Sequence, residues 1–134
     1  MTLREDAVDV LTRWSPPTEH QERLRSQYLA HLTQRPDGLW RSCLPAHLTT
    51  GALVLSHDRR HVLLNLHRKA RRWFHFGGHL EPDDLTLAGA ALREATEESG
   101  IAGLTIAAEP LHVDVHPVTC SLGVPTRPDR KSVV

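Results

Sequence analysis

Apolar residues at Leu3, Ala7, Val10, Leu11 and Trp14 recur at helical spacing, and this pattern predicts an amphipathic helix at the start of the chain. Thr2 and Glu5 have the form of a capping box, and Ser15-Pro16-Pro17 ends the helix. Leu24, Tyr28, Leu29 and Leu32 predict a second helix behind another capping-box pair, Thr18 and Gln21. Pro36-Asp37-Gly38 stops it. From His47 the period changes. His47 to Ser56 and His61 to His67 read as strands joined through His57-Asp58-Arg59-Arg60, and Arg68 to Arg72 is a basic connection to a short strand, Trp73 to Phe76. A third helix follows from Leu87 to Ser99, capped by Gly100 and anchored by a stripe of Ala88, Ala91, Leu92 and Ala95. Leu104 to Ala107 and Leu111 to Val118 are further strand candidates. Two helices, then strands flanking one more helix, predict an α+β fold or mixed α/β/α sandwich.

The chain has 134 residues with 16 basic and 16 acidic side chains, enough for one domain with a single core. Balanced charge argues against broad binding to nucleic acid or an anionic membrane. No apolar run is long enough to span a bilayer, and the charged N-terminus lacks a signal-peptide core. Cys43 and Cys120 have no zinc spacing and read as free thiols in a reducing compartment, so a cytoplasmic setting is expected.

The chemistry concentrates after Phe76. Gly77-Gly78 lets the backbone approach a ligand closely or take up a positive φ. In Arg-Glu-Ala-Thr-Glu-Glu-Ser-Gly, the acids Glu94, Glu97 and Glu98 fall at i, i+3 and i+4, on one helix face where they repel one another. A solvated surface helix carries such acids without function. On a helix anchored to a core, a hard cation with oxygen ligands explains them better.

Gly78 to Ile101 resembles the signature box of the Nudix hydrolase family. The second half of the box is present in full, from Arg93 to Ile101. The first half departs twice: Asp84 stands where the family has Glu, and one extra residue separates it from Arg93. The resemblance covers about His47 to Val118. It implies a Nudix-type α/β/α sandwich with a mixed sheet, a Mg²⁺ cofactor (Mn²⁺ as a substitute), and cleavage of a diphosphate linkage in a nucleoside diphosphate joined to another group. It gives Glu94 and Glu98 as the main metal ligands, Glu97 as a ligand or general base, and Arg93 as the residue that orients the acids. Arg93 would pair with Asp84, with Asp83 or Glu81 as substitutes. Gly77 and Gly78 would line the substrate site.

Other residues give weaker signals. Arg68, Lys69, Arg71 and Arg72 suit a phosphate, with Arg68 and Arg72 as the substrate-binding candidates, though a solvated loop would look the same. His112, Asp114 and His116 alternate along one strand and share a face, and His116 is the substrate or base candidate. The expected partner is a small nucleotide derivative, with no membrane and no specific nucleic acid. A homodimer is compatible with the sequence.

The expected organisation is a helical extension over 1–36, a Nudix domain over 37–128 without its C-terminal part, and a disordered or spurious tail over 129–134. Asp129 to Val134 is also what GAT CGG AAG AGC GTC GTG encodes, a string similar to a common sequencing-library adapter, so a truncated reading frame is expected. Two other functions stay open. One is a catalytically silent nucleotide-binding module on the same fold. The other is an isoprenoid-diphosphate isomerase, which needs a catalytic cysteine near the sheet, whereas Cys43 precedes the first strand.

Overall fold

The structure is a computed structural model that describes residues 1–69 and 71–116 and the backbone of 129–133. Helix α1 (Leu3–Arg13) is closed at its start by the complete capping box of Thr2 and Glu5, and α2 (Glu19–Gln34) by the Thr18 hydroxyl, which accepts from Gln21 N. Only half of the second capping box forms. The Gln21 side chain turns instead to a backbone segment 92 residues away, donating to Val113 O at 2.9 Å and accepting from Val113 N at 2.8 Å. Two buried peptide groups are costlier to leave unpaired than one exposed helix end, so the long-range partner wins.

The two long strand candidates each break in two, giving β1 (Leu48–Ala52), β2 (Val54–Leu55), β3 (Val62–Leu63) and β4 (Asn65–His67). Then come β5 (Arg72–Phe74), β6 (Phe76–His79), helix α3 (Leu87–Ser99), β7 (His112–His116) and β8 (Asp129–Val133). The main sheet runs β6-β1-β8-β7 and is mixed: β1 is antiparallel to β6 and parallel to β8, and β7 is antiparallel to β8. Two hairpins, β2-β3 and β4-β5, stand apart from it. The result is the α+β architecture with a mixed sheet and two additional N-terminal helices.

Alternation along β1 decides what packs where. Leu48, Thr50 and Ala52 share a face. Leu48 clusters with Leu87 and Ala90, Ala52 with Ala91 and Ala95, and the Thr50 hydroxyl donates to Leu87 O at 3.4 Å. This face therefore carries α3, whose buried stripe is Leu87, Ala90, Ala91 and Ala95, while Ala88 and Leu92 are only partly covered. The N-terminal helices join the same core through Leu3, Ala7, Leu11, Tyr28 and Leu32. Asp6 of α1 accepts from Leu87 N at 2.8 Å, so a carboxylate from the helical extension sits at the positive end of α3.

Two expectations are corrected. No strand forms over Leu104 to Ala107; Leu104 and Ile106 pack instead against the cluster of Ala52, Phe76, Ala91 and Ala95. The backbone of Asp129–Val133 is not an unpaired tail but lies between β1 and β7, where the open edge of β1 offers unpaired backbone groups. Val113 of β7 is fully buried in the core that includes α1 and α2. The extension of the last strand to Val118 and the second cysteine, Cys120, lie outside the described residues; Cys43 is a buried free thiol.

Gln21 thus fastens the helical extension to the sheet. Gln21→Ala removes the partners of the buried N–H and C=O of Val113, and a loss of about 2 kcal/mol is expected. Urea denaturation of the two proteins measures it, and an unchanged midpoint would show that these bonds contribute nothing.

Candidate active site

The third helix begins at Thr86, whose hydroxyl accepts from Gly89 N at 2.9 Å, and ends at Gly100, where φ of 71° suits a residue without Cβ. Its alanines hold it against the sheet, and from the adjoining side Arg93, Glu94 and Glu98 reach the backbone of β6. Arg93 organises this surface. Its Nε and Nη2 each donate to one oxygen of Asp84 at 2.8 Å, a two-point grip on a carboxylate whose side chain is only 6 % exposed. Arg93 Nη2 also donates to His79 O at 3.2 Å, and Nη1 to Glu94 at 3.0 Å and Glu97 at 3.4 Å. Asp84 additionally accepts from Glu81 N at 2.8 Å, so the longer loop is folded back to bring the shorter acid within reach.

Four carboxylates, Glu81, Asp84, Glu94 and Glu97, stand within 3.5 Å of this one guanidinium. One positive charge answers four negative ones. The Arg93 contact holds the Asp84 carboxyl below its ordinary range, and Arg93 itself is raised chiefly by Asp84. Glu94 goes the other way. Its side chain is 13 % exposed, and burial raises its proton affinity, with Glu98 and Glu97 adding to the rise against the pull of Arg93.

The glycine pair serves close approach and not a positive φ. Gly77 and Gly78 lie inside β6, and among the described residues the glycines with positive φ are Gly100 and Gly103. A Cβ on Gly78 would stand 2.5 Å from Glu94 Oε1, and one on Gly77 would stand 2.6 Å from Thr50 O. Gly77 N donates to Glu98 Oε1 at 3.0 Å, and Asn65 Nδ2 donates to Glu98 Oε2 at 3.3 Å. Asn65 is not legible from the sequence, because an asparagine inside an apolar strand pattern carries no motif.

Glu94, Glu98, Arg93, Asp84, Gly77 and Gly78 are therefore neighbours, while Glu97, 58 % exposed, lies at the rim. The acids do not close on one point: among the described residues no group of three or more His, Cys, Asp or Glu side chains is placed to hold a metal ion. Arg68 and Arg72 are exposed on the β4-β5 hairpin, where Arg72 opposes His67 and shares a face with Asn65. On the other face, Leu66 opposes Trp73, and both are exposed. His116 is elsewhere: β7 and β6 are the two edges of the main sheet, three strand spacings or roughly 14 Å apart. Its Nδ1 lies 3.2 Å from Asp114 Oδ1, a local contact between two residues of one strand face.

Beside the acids, His47 and His79 stack with ring centroids 5.1 Å apart. Burial, then His79, His31 and Arg41, lower the pKa of His47 from 6.5 to about 4. The fold therefore accepts its neutral form. Stability is complete above pH 6.5 and is lost as pH falls from there toward 4, because the unfolded chain takes up the proton first; the loss is about 3 kcal/mol. Urea midpoints at pH 7 and pH 4.5 should fall more steeply for the wild type than for His47→Gln.

One cavity, about 870 Å³, is lined by residues such as Leu53, Leu55, Leu92 and Ile106 and holds none of the box acids. A second, about 520 Å³, opens at Gly78 and Glu94. No helix among the described residues is long and apolar enough to cross a membrane.

Compared with known proteins, the chain matches the family model of the NUDIX domain over residues 45–130, from just before β1 into β8. No curated protein matches it in sequence. The match contains the whole acid-bearing helix, the glycine pair and Asp84, and it covers most of the chain. By this match and by the Arg93-centred acid surface on α3, the chain belongs to the Nudix hydrolase family.

Proposed function

We propose that this protein is a Mg²⁺-dependent pyrophosphohydrolase that cleaves the diphosphate linkage of a nucleoside diphosphate derivative. The observation that carries the reading is the charge imbalance around Arg93, together with a raised proton affinity at Glu94. A carboxylate that is costly to ionise beside three other acids fits a divalent cation, and an all-oxygen donor set suits Mg²⁺ or Mn²⁺. Glu94 and Glu98 would hold it, with Glu97 as a third ligand or as the proton acceptor for the attacking water. When bound, Mg²⁺ supplies positive charge to the phosphate oxygens and lowers the pKa of a coordinated water.

The chain's own residues do the remaining work. Arg93 fixes Glu94 from one side, and Gly78 gives that carboxylate room on the other. Gly77 N and Asn65 hold the two oxygens of Glu98. Asp84 locks the guanidinium that orients the acids. Arg72, and Arg68 at the hairpin turn, are available to bind a phosphate oxygen from the Asn65 side. The buried free thiol of Cys43 is consistent with a cytoplasmic setting.

One feature favours a second reading, nucleotide binding without turnover: Glu94 and Glu98 are held by different donors, and among the described residues no third acid or histidine is placed with them to hold a metal ion. A phosphate-release screen over nucleotide sugars, dinucleotides and oxidised nucleotides, with and without Mg²⁺, separates the two. Hydrolysis of at least one class supports the enzyme, and binding with no release supports the silent module.

A further inference from the structure

The cavity of about 520 Å³ beside Glu94 has a wall that the box does not provide. Trp40 and Arg41, from the segment between α2 and β1, line it together with His79, Glu81, Pro82 and Glu94. Its volume falls within the range that accommodates a small organic ligand, roughly 300–1,000 Å³. The wall is held in place by backbone bonds. Trp40 N donates to Asp37 O at 2.9 Å, Cys43 N to Trp40 O at 2.8 Å, and Leu48 N to Gly38 O at 3.0 Å. The last of these ties the segment to the first residue of β1. Trp40 is half-buried against the core, so its ring is fixed from behind, while Arg41 is exposed.

We propose that this cleft is the nucleoside subsite: the base stacks on Trp40, and Arg41 holds a phosphate of the diphosphate as it reaches Glu94. The proposal rests on the hydrolase reading above and adds the residues of this chain, outside the box, that hold the base and a phosphate of such a substrate. Two complementary features point to these residues. A tryptophan face gives sequence-tolerant stacking to any base. A guanidinium in a cleft otherwise edged by Glu81 and Glu94 suits a ligand whose phosphates meet Arg41 at one side and a cation on the acids at the other. The larger cavity offers no comparable match, since none of the box acids lines it.

The test uses the full chain with Mg²⁺, ADP-ribose as the base-bearing probe and P1,P2-dimethyl diphosphate as the probe with the same linkage and no base. Calorimetric titration with ADP provides a binding readout independent of turnover. Arg41→Gln should raise the KM for ADP-ribose and weaken ADP binding at least about 10-fold, with kcat within twofold. Trp40→Ala should weaken both by about 10-fold or more, and Trp40→Phe, which keeps a ring, by less. Trp73→Phe, on the hairpin face away from Asn65, should change neither. Because Trp40 also packs on the core, Arg41→Gln decides between the outcomes if Trp40→Ala does not fold.

Efficient hydrolysis of both probes alike, or an Arg41→Gln KM and ADP affinity within twofold of the wild type, would overturn the subsite while leaving the hydrolase intact. ADP binding that weakens in Arg41→Gln, without any hydrolysis, would keep the subsite and overturn the hydrolase. Neither binding nor hydrolysis would remove both.

Discussion

Glu98→Gln is expected to lower turnover of the best diphosphate substrate by roughly 10³-fold at saturating Mg²⁺, the size of losing one electrostatic contact to the transition state. The fold should survive. Glutamine keeps the shape and one carbonyl oxygen, so it can still accept from Gly77 N, which lies 3.0 Å from Glu98 Oε1. It also removes one charge from an acid surface that is already poorly compensated, so thermal stability without metal should be unchanged or higher. The pair of measurements is kcat and a thermal melt on the same preparation. A variant with full Mg²⁺-dependent activity would show that Glu98 is not a metal ligand, and a variant that fails to fold would show that its hydrogen bonds to β6 and Asn65 are structural first.

The second large effect concerns Arg93 and Asp84. The two-point contact at 2.8 Å, on a carboxylate 6 % exposed and a guanidinium 21 % exposed, is a shielded pair and not a surface ion pair. Removing either partner leaves the other charge partly buried, so Arg93→Ala and Asp84→Ala should each cost about 2–3 kcal/mol. In a double-mutant cycle the two should be strongly non-additive, with a coupling of about 1–3 kcal/mol. Arg93→Ala should also reduce kcat sharply, because Glu94 and Glu97 lose the group that orients them. Arg93→Lys is not expected to rescue this, since a point charge cannot reproduce the fork that spans both Asp84 oxygens. Additive effects in the cycle would contradict the pairing and return Glu81 or Asp83 as the partner.

The parts legible in the sequence are those where one local rule dominates. Helical spacing and caps place α1, α2 and α3 within a residue or two, because each helix satisfies its own backbone and reports its buried face in its own period. The acid group is legible for the same reason: three carboxylates on one face are a property of the helix alone. The misses are all non-local. Gln21 looks like a capping residue until Val113 is placed beside it. Gly77-Gly78 suggests a turn, whereas the need for glycine comes from Thr50 and Glu94 on other elements. Leu104 to Ala107 has strand-like residues but packs as an irregular segment. Trp40 and Arg41 sit among turn residues with no period, and only the folded chain shows that they line one cleft with Glu94. His116 is a substrate or base candidate in the sequence, and the strand order puts it at the opposite sheet edge from β6.

The central claim is that the acids of α3 hold a divalent cation that is required to break a diphosphate. Product analysis under metal control tests it most directly. The chain is incubated with ADP-ribose in Mg²⁺, in Mn²⁺ and in EDTA, and the products are separated. The account predicts AMP and ribose 5-phosphate in either metal, none in EDTA, and a loss of both products in Glu94→Gln and Glu98→Gln. Continued hydrolysis in EDTA, or full activity in both variants, would contradict it.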